Sequence, residues 1–252
     1  MKTFVEILKK SVLIFIFSTL YAQAFFPGEK YEYDVYYKFI RIGHASMETL
    51  QELDIVEGQK TYHIIYKFKT TAIGDKIYRV RDQLELWINT DTLQLIRQEK
   101  KLREREWKHD SVITMKDNLA IINGVKKEKE YYKEYEAPDS FYNPYSMILM
   151  LRNFQIEEGK FMEFVTFEKK VKIIDITNIG YKKIRTRLGK FNAYTYKPFY
   201  KGKPALKNSG DLELSYALVD NLIIPVKIAI KLNKGYGTID LRLQDYNSGG
   251  EI

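Results

Sequence analysis

KYEYDVYYKF, residues 30–39, alternates large apolar side chains with charged ones over most of its length. A period of two is the spacing of side chains that share one face of a β-strand. One face of this segment carries Tyr31, Tyr33, Val35, Tyr37 and Phe39. The opposite face carries Glu32, Asp34 and Lys38. The segment therefore predicts a strand with one face in a core and the other towards water.

The same alternation recurs along the chain and predicts roughly a dozen strands joined by short turns. The charged stretch 97–110 favours a solvated strand pair or a protruding hairpin, and Asn123-Gly124 predicts a hairpin turn. Asn143-Pro144 introduces the single predicted helix, residues 146–151. The fold class is mainly β: an antiparallel curved sheet or partly open β-barrel, with one mid-chain helix that covers an opening. Two lobes divided near 139–153 are the alternative.

The first 24 residues have the pattern of an export signal. Lysines precede an uncharged apolar run at residues 11–20, and Ala22 and Ala24 supply the small residues at the predicted cleavage site. The run is too short to span a bilayer, so no membrane span is expected after signal removal. We predict a single exported domain, residues 25–252, in the periplasm or secreted.

Composition narrows the classes of function. The chain of 252 residues has no cysteine, which excludes thiol catalysis, thiolate metal sites and disulfides. Its net charge of +8 suits anionic partners that an exported protein meets, such as lipid head groups, or serves only for solubility. Twenty Tyr and fourteen Phe indicate aromatic sheet cores, with the remainder available for a groove.

Six short stretches carry a resemblance to a known family. They are residues 26–30 (FPGEK), 42–45 (IGHA), 78–82 (YRVRD), 146–152 (SMILMLR), 188–191 (LGKF) and 224–226 (IPV). Together they resemble the bacterial exported family called domain of unknown function 3108. The resemblance implies a periplasmic, mainly β protein, and no established activity comes with it. It also suggests similarity to lipoprotein carriers, in which a curved sheet closed by helices surrounds an apolar cavity.

Candidate site residues are sparse. The three histidines show no metal-ligand spacing, and no metal or cofactor is predicted. Arg81, if it points inward, needs a carboxylate from Asp82 or Asp139, as a buried ion pair or an anion site. Arg152 ends the predicted helix, where a cation is favourable. These four residues, Arg81, Asp82, Asp139 and Arg152, are the tentative ligand or ion-pair residues.

Two further patterns leave alternatives open. Asp75, Asp82 and Asp139 lie near turns or strand ends, where the carboxylates of glycan hydrolases can sit and where Asp more often forms turns or ion pairs. The basic run Lys126, Lys127 and Lys129 is followed by tyrosines. In the cytosol this pattern suggests single-stranded nucleic acid, whereas in an exported protein a solvated hairpin is favoured and no nucleic acid is expected.

Three functions follow from these patterns. The first is non-enzymatic binding of an amphipathic ligand, such as a lipid or glycolipid. The second is a structural or assembly role through exposed edge strands that bind another envelope protein. The third is glycan hydrolysis. An apolar cavity would favour ligand binding, and an exposed apolar patch would favour the assembly role. A cleft with paired carboxylates would favour glycan hydrolysis.

Overall fold

The computed structural model describes residues 24–206, 210–232 and 235–249. Sixteen strands lie in these ranges: β1 (Glu29–Tyr37), β2 (Ile40–Thr49), β3 (Asp54–Val56), β4 (Gln59–Thr70), β5 (Arg81–Asn89), β6 (Leu95–Glu104), β7 (Trp107–Lys116), β8 (Leu119–Lys126), β9 (Lys129–Glu136), β10 (Phe161–Phe167), β11 (Val171–Thr186), β12 (Gly189–Tyr200), β13 (Lys203–Pro204), β14 (Leu212–Val219), β15 (Leu222–Leu232) and β16 (Gly237–Ser248). The helical elements of the same ranges are α1 (Ala72–Tyr78), α2 (Met147–Met150) and a 3-10 turn, Leu151–Asn153.

The strands form one antiparallel sheet that is not closed. Its order is β10-β11-β12-β14-β15-β16-β1-β2-β4-β5-β6-β7-β8-β9, with β13 paired to β12 and β3 paired to β4. Strands from both sides of the predicted division near 139–153 meet through the pairing of β1 with β16. The mainly β fold class is confirmed, whereas the single domain 25–252 stays a prediction.

The opening stretch forms β1, as its alternation predicts, but its second face is not wholly towards water, because Asp34 is 5% exposed. Tyr31, Tyr33 and Val35 are at most 1% exposed and lie in the core. The Tyr33 hydroxyl donates to the carbonyl of Pro225 at 2.8 Å, which satisfies the polar end of a buried ring. Phe39 is 94% exposed, because β1 ends at Tyr37 and the chain turns before it.

The segment between the two terminal strands, residues 141–156, is called here the inner segment. It holds α2, and its residues Leu149 and Leu151 are at most 1% exposed. Tyrosine hydroxyls from β4 (Tyr66) and β14 (Tyr216) donate to its carbonyls at 3.1 and 2.7 Å. Because strands from distant parts of the sheet contact it, the helix lies within the curl, not over an opening as predicted.

Helix α1 is not predicted, because the sequence indicates a single helix at residues 146–151. Thr71 caps it by accepting from the Gly74 amide, and Asp75 lies in its first turn. A Cβ at Gly74 would lie 2.0 Å from the carbonyl oxygen of Ile42, so only glycine allows the helix to pack this closely on β2. Alternation cannot reveal such a short helix, because tertiary contact and a cap stabilise it.

The predicted signal lies largely outside the described residues. Ala22 belongs to that part, and Ala24 is described as buried. Phe25, the first residue after the predicted cleavage site, is fully buried against Tyr62, with 5.5 Å between the ring centroids. Cleavage itself stays a prediction. No helix within the described residues is both long and apolar enough to cross a membrane.

Candidate functional site

A groove lies where the two ends of the sheet approach each other. We call this region the seam: strands β8 and β9 on one side, and the turn between β10 and β11, residues 168–170, on the other. The groove has a volume of about 340 Å³. Its lining residues are His109, Ile122, Lys126, Lys129, Glu130, Tyr131, Lys133 and Lys169. Its size is at the lower end of the range for small-molecule sites, roughly 300–1,000 Å³.

Strand register places these side chains in rows. His109, Lys126 and Lys129 lie opposite one another across β7, β8 and β9. In the row of Gly124 and Tyr131 the middle strand has no side chain, and the row beyond it contains Ile122 opposite Lys133. Side chains two residues apart share a face, so the rows with Lys126 and Lys129 and with Lys133 lie on either side of Gly124. They surround a shallow depression above Gly124.

Gly124 creates that depression, because it has no side chain. A Cβ there would lie 2.6 Å from the Tyr131 ring, so only glycine lets the ring lie across β8. The Tyr131 hydroxyl then lies 2.8 Å from Nε2 of His109. The predicted hairpin turn at Asn123-Gly124 is therefore wrong: both residues lie inside β8, and the turns are at Asp117-Asn118 and Lys127-Glu128, where φ is positive.

The lining is strongly positive. It contains four lysines and only one carboxylate, Glu130. Burial, together with Lys169, Lys126 and Lys100, lowers the pKa of His109, while nearby Asp110 acts in the opposite direction. The imidazole is therefore mainly neutral at neutral pH, and an anion in the groove would raise its pKa again.

An ion pair holds the seam together beside the groove. Lys100 on β6 bonds to Glu168 in the turn that carries Lys169, and its Nζ also donates to the Tyr145 hydroxyl at 2.9 Å. Burial alone would raise the pKa of Glu168, but the charge and hydrogen bond of Lys100 lower it overall. Lys169 is thus held near β9 by a charged anchor, although β9 and β10 do not pair.

Arg81 binds a carboxylate other than the two predicted. Its guanidinium donates to both oxygens of Asp75 at 2.9 and 2.8 Å and to Thr70 Oγ1 at 2.7 Å. Hydrogen bonds from Arg81 and Thr70 lower the pKa of Asp75. The prediction of Asp82 or Asp139 as its partner is wrong because α1 turns Asp75 back towards the start of β5.

Asp82 and Asp139 lie in separate surroundings. Asp82 accepts from the backbone amide of Arg103 at 2.8 Å, and burial raises its pKa despite that hydrogen bond. Asp139 accepts from Asn118 Nδ2 at 2.9 Å. With Asp75 held by Arg81, the three aspartates have three different sets of partners. Glycan hydrolysis at paired carboxylates gains no support from this arrangement.

Arg152 is the core of a buried polar cluster. Its Nη1 lies 2.6 Å from Glu29 Oε2, and the two side chains are 3% and 0% exposed. Nη1 also donates to the Tyr31 hydroxyl at 2.9 Å, and Nη2 to the carbonyl of Ala24 at 2.9 Å. Glu29 was not among the predicted site residues. The available signal was that Glu29 shares its face with Tyr31 and Tyr33, where a carboxylate needs a cation.

Two of the six stretches that carry the family resemblance thus meet in space: FPGEK supplies Glu29 and SMILMLR supplies Arg152. A family model described as "Protein of unknown function (DUF3108)" matches residues 32–242. The chain belongs to the DUF3108 family. The predicted family is confirmed, and its description assigns no activity. No curated protein matches the chain.

Two solved structures resemble this DUF3108 protein. The first is the beta-barrel-like protein of domain of unknown function DUF1849 from Brucella abortus, with a TM-score of 0.52 and 11% identity over 88% of this chain and 98% of that chain. The second, from Parabacteroides distasonis, is described as "a putative lipoprotein"; its TM-score is 0.29 and its identity 11%, over 88% of this chain and 95% of that chain. The first likeness supports the barrel-like curl of the sheet and nothing about activity.

Proposed function

We propose that this protein is an exported envelope protein that binds the anionic head of an amphipathic ligand, such as a lipid or glycolipid, without a chemical step. The observation that carries the proposal is the groove at the seam. Lysines surround it, while the half-buried Tyr131 ring gives it apolar surface and Ile122, 1% exposed, lies beneath it in the core. A site of this composition suits a molecule with a charged end and an apolar end.

The filled interior favours binding of the head over enclosure of the tail. Leu149, Leu151 and their neighbours in the inner segment pack against the core of the sheet. An acyl chain of a carrier's ligand would need that space. We therefore propose that the tail of the ligand lies outside the core of the sheet, against the Tyr131 ring of the groove and the surface of the molecule.

The proposed export follows from the pattern of residues 1–24, with cleavage after Ala24. Fractionation of cells that produce the full chain would test it. We expect the mature protein in the periplasmic or secreted fraction, with Phe25 as its first residue. A full-length protein in the cytosol would contradict it.

Native mass spectrometry of the protein from a periplasmic extract, with parallel lipid extraction, tests the ligand. We expect a stoichiometric amphipathic anion, and its loss from a variant with Lys129→Gln and Lys133→Gln. The matched control is Lys108→Gln with Lys116→Gln, since both lysines are exposed on β7 and lie on the face opposite to His109. A clean apo mass for the wild-type protein would contradict the proposal.

The second candidate, an assembly factor, is favoured by one observation at the β10 edge. Phe161 and Val165 on β10, and Val171 and Ile173 on β11, are exposed apolar side chains. The other terminal strand, β9, has the sequence KEYYKEYE, whose charges oppose pairing with another chain. Tyr142 of the inner segment already bonds to Val165 and Phe167, so the part of the β10 edge from Phe161 to Phe164 suits a partner strand better than β9 does.

Cross-linking of the protein in envelope extracts would test this candidate. If β10 binds a partner, Phe161→Lys removes the cross-linked product, and Tyr132→Lys on β9 leaves it unchanged. Equal products from both variants would contradict a role of β10.

A further inference from the structure

We infer that the groove recognises a phosphate-bearing head group with at least two negative charges, held by Lys126, Lys129, Lys133 and Lys169. This inference deepens the proposed function and rests on it. The shared chemistry is a phosphate ester, whether it comes from a lipid head group or from a free phosphate compound.

Charge is the first argument. Four lysines and one glutamate leave an excess of positive charge that a single carboxylate cannot balance. A phosphate monoester carries about −1.5 to −2 at pH 7 and has three acceptor oxygens. Lysine ammonium groups act as separate point charges that approach such an anion from several sides.

The type of cation is the second argument. The lining has lysines and no arginine among the described residues. Planar, bidentate recognition of a carboxylate is the geometry of arginine, and in this protein arginines pair with carboxylates elsewhere, at Glu29 and Asp75. The groove therefore lacks the bidentate geometry of these two sites and offers separate ammonium groups, which in this chain also pair with carboxylates, as Lys100 does with Glu168.

The third argument is that the site is held in shape. Gly124 allows the Tyr131 ring to reach His109, and the Lys100–Glu168 pair holds the turn that carries Lys169. These contacts lie beneath and beside the lysines and do not neutralise them. The positive groups converge from β8, β9 and the β10–β11 turn, which a merely solvated hairpin would not require.

Binding of octyl phosphate, octyl sulfate and octanoate, each below its micellar concentration, tests the inference by isothermal titration calorimetry at pH 7.5. The three probes share a tail and differ in the head. We expect octyl phosphate to bind at least about tenfold more tightly than the other two, because only its head is mainly dianionic at this pH. Added NaCl should weaken the binding of octyl phosphate, since the charges of exposed lysines are screened by salt.

Variants locate the site. We expect Lys129→Gln with Lys133→Gln to weaken octyl phosphate at least about tenfold, the scale for lost hydrogen bonds to a charged group. Lys108→Gln with Lys116→Gln, the same charge change on the opposite face of β7, should leave the affinity unchanged. Equal affinity of the double variant and the wild type would overturn the inference, and circular dichroism would confirm that the double variant is folded.

The remaining outcomes separate the inference from the proposed function. If octyl sulfate and octanoate bind as tightly as octyl phosphate and the double variant loses all three, phosphate recognition is overturned and the proposed function stands. If inorganic diphosphate binds as tightly as octyl phosphate, phosphate recognition is supported and the amphipathic ligand is overturned. If no probe binds, both are overturned.

Discussion

Two arginine–carboxylate pairs in this protein have the same chemistry and very different surroundings. Arg152 and Glu29 are 3% and 0% exposed, whereas Arg81 and Asp75 are 34% and 31% exposed. The first pair joins the inner segment to β1, 123 residues apart, and the second joins α1 to β5 over six residues. Burial decides how much of the free energy of unfolding depends on each pair, since a charge that loses its partner can be hydrated only at the exposed site.

The buried pair should show the largest effect of any single change. Arg152→Met leaves the Glu29 carboxylate in the core without its cation, and we expect a loss of about 3–5 kcal/mol in the free energy of unfolding. Urea denaturation measures it. The control is Arg187→Met, the same substitution at an exposed arginine, which should cost little. A loss below about 1 kcal/mol for Arg152→Met, the range of exposed pairs, would contradict the role of burial.

Removal of both charges sharpens the comparison. We expect Glu29→Gln combined with Arg152→Met to cost less than Arg152→Met alone, because no unpaired charge then remains in the core. A double-mutant cycle from the same denaturation data gives the coupling between the two residues. Costs that simply add would mean that the two side chains stabilise the fold independently.

The exposed pair should show the smallest effect. We expect Arg81→Gln to lower the free energy of unfolding by less than Arg152→Met does, and added NaCl to reduce the difference from the wild type. An effect as large as that of Arg152→Met, and unchanged by salt, would show that exposure does not distinguish the pairs. Urea denaturation with and without NaCl measures both quantities.

The pH dependence of the exposed pair follows from the lowered pKa of Asp75. A carboxylate with a lowered pKa in the folded state stabilises the protein above its unfolded pKa, about 3.9. That stabilisation is lost as the pH falls through the lower, folded value. The difference between Arg81→Gln and the wild type should therefore persist from pH 7 to about pH 5 and shrink below about pH 4. A difference that grows on acidification would contradict the assignment of Asp75.

The sequence predicted the class of fold better than it predicted which residues contact one another within the fold. Alternation in residues 30–39 correctly indicated a strand, because side-chain period is a local property of the backbone, and the charged stretch 97–110 forms the predicted strand pair. Asn123-Gly124 misled because its signal is ambiguous: the same glycine that suits a turn also allows a ring to cross a strand. The tyrosine that makes the difference, Tyr131, lies on the next strand.

The candidate site shows the same limit. Lys126 and Lys129 belong to a basic run that the sequence shows, and His109 lies beside them through the register of β7, β8 and β9. Lys169 is distant in sequence and joins them only through the curl of the sheet. The place of Arg152 at a helix end predicts a site residue there, whereas its partner Glu29 is not predicted, because acidic residues of a strand are expected to face water. The spacing of Glu29 from Tyr31 and Tyr33 is the signal against this expectation, because it places the Glu29 carboxylate on the inner face of the strand.

The sequence by itself determined that this is a strand-rich chain without disulfides, and its short motifs identified the DUF3108 family. These features depend on residue type and on spacing along the chain, which are local. The tertiary structure alone decided that Glu29 meets Arg152, that Asp75 meets Arg81, and that lysines from β8, β9 and a distant turn surround one groove. Each of these contacts depends on strand register and on how far the sheet curls, and both are set by packing of the whole core.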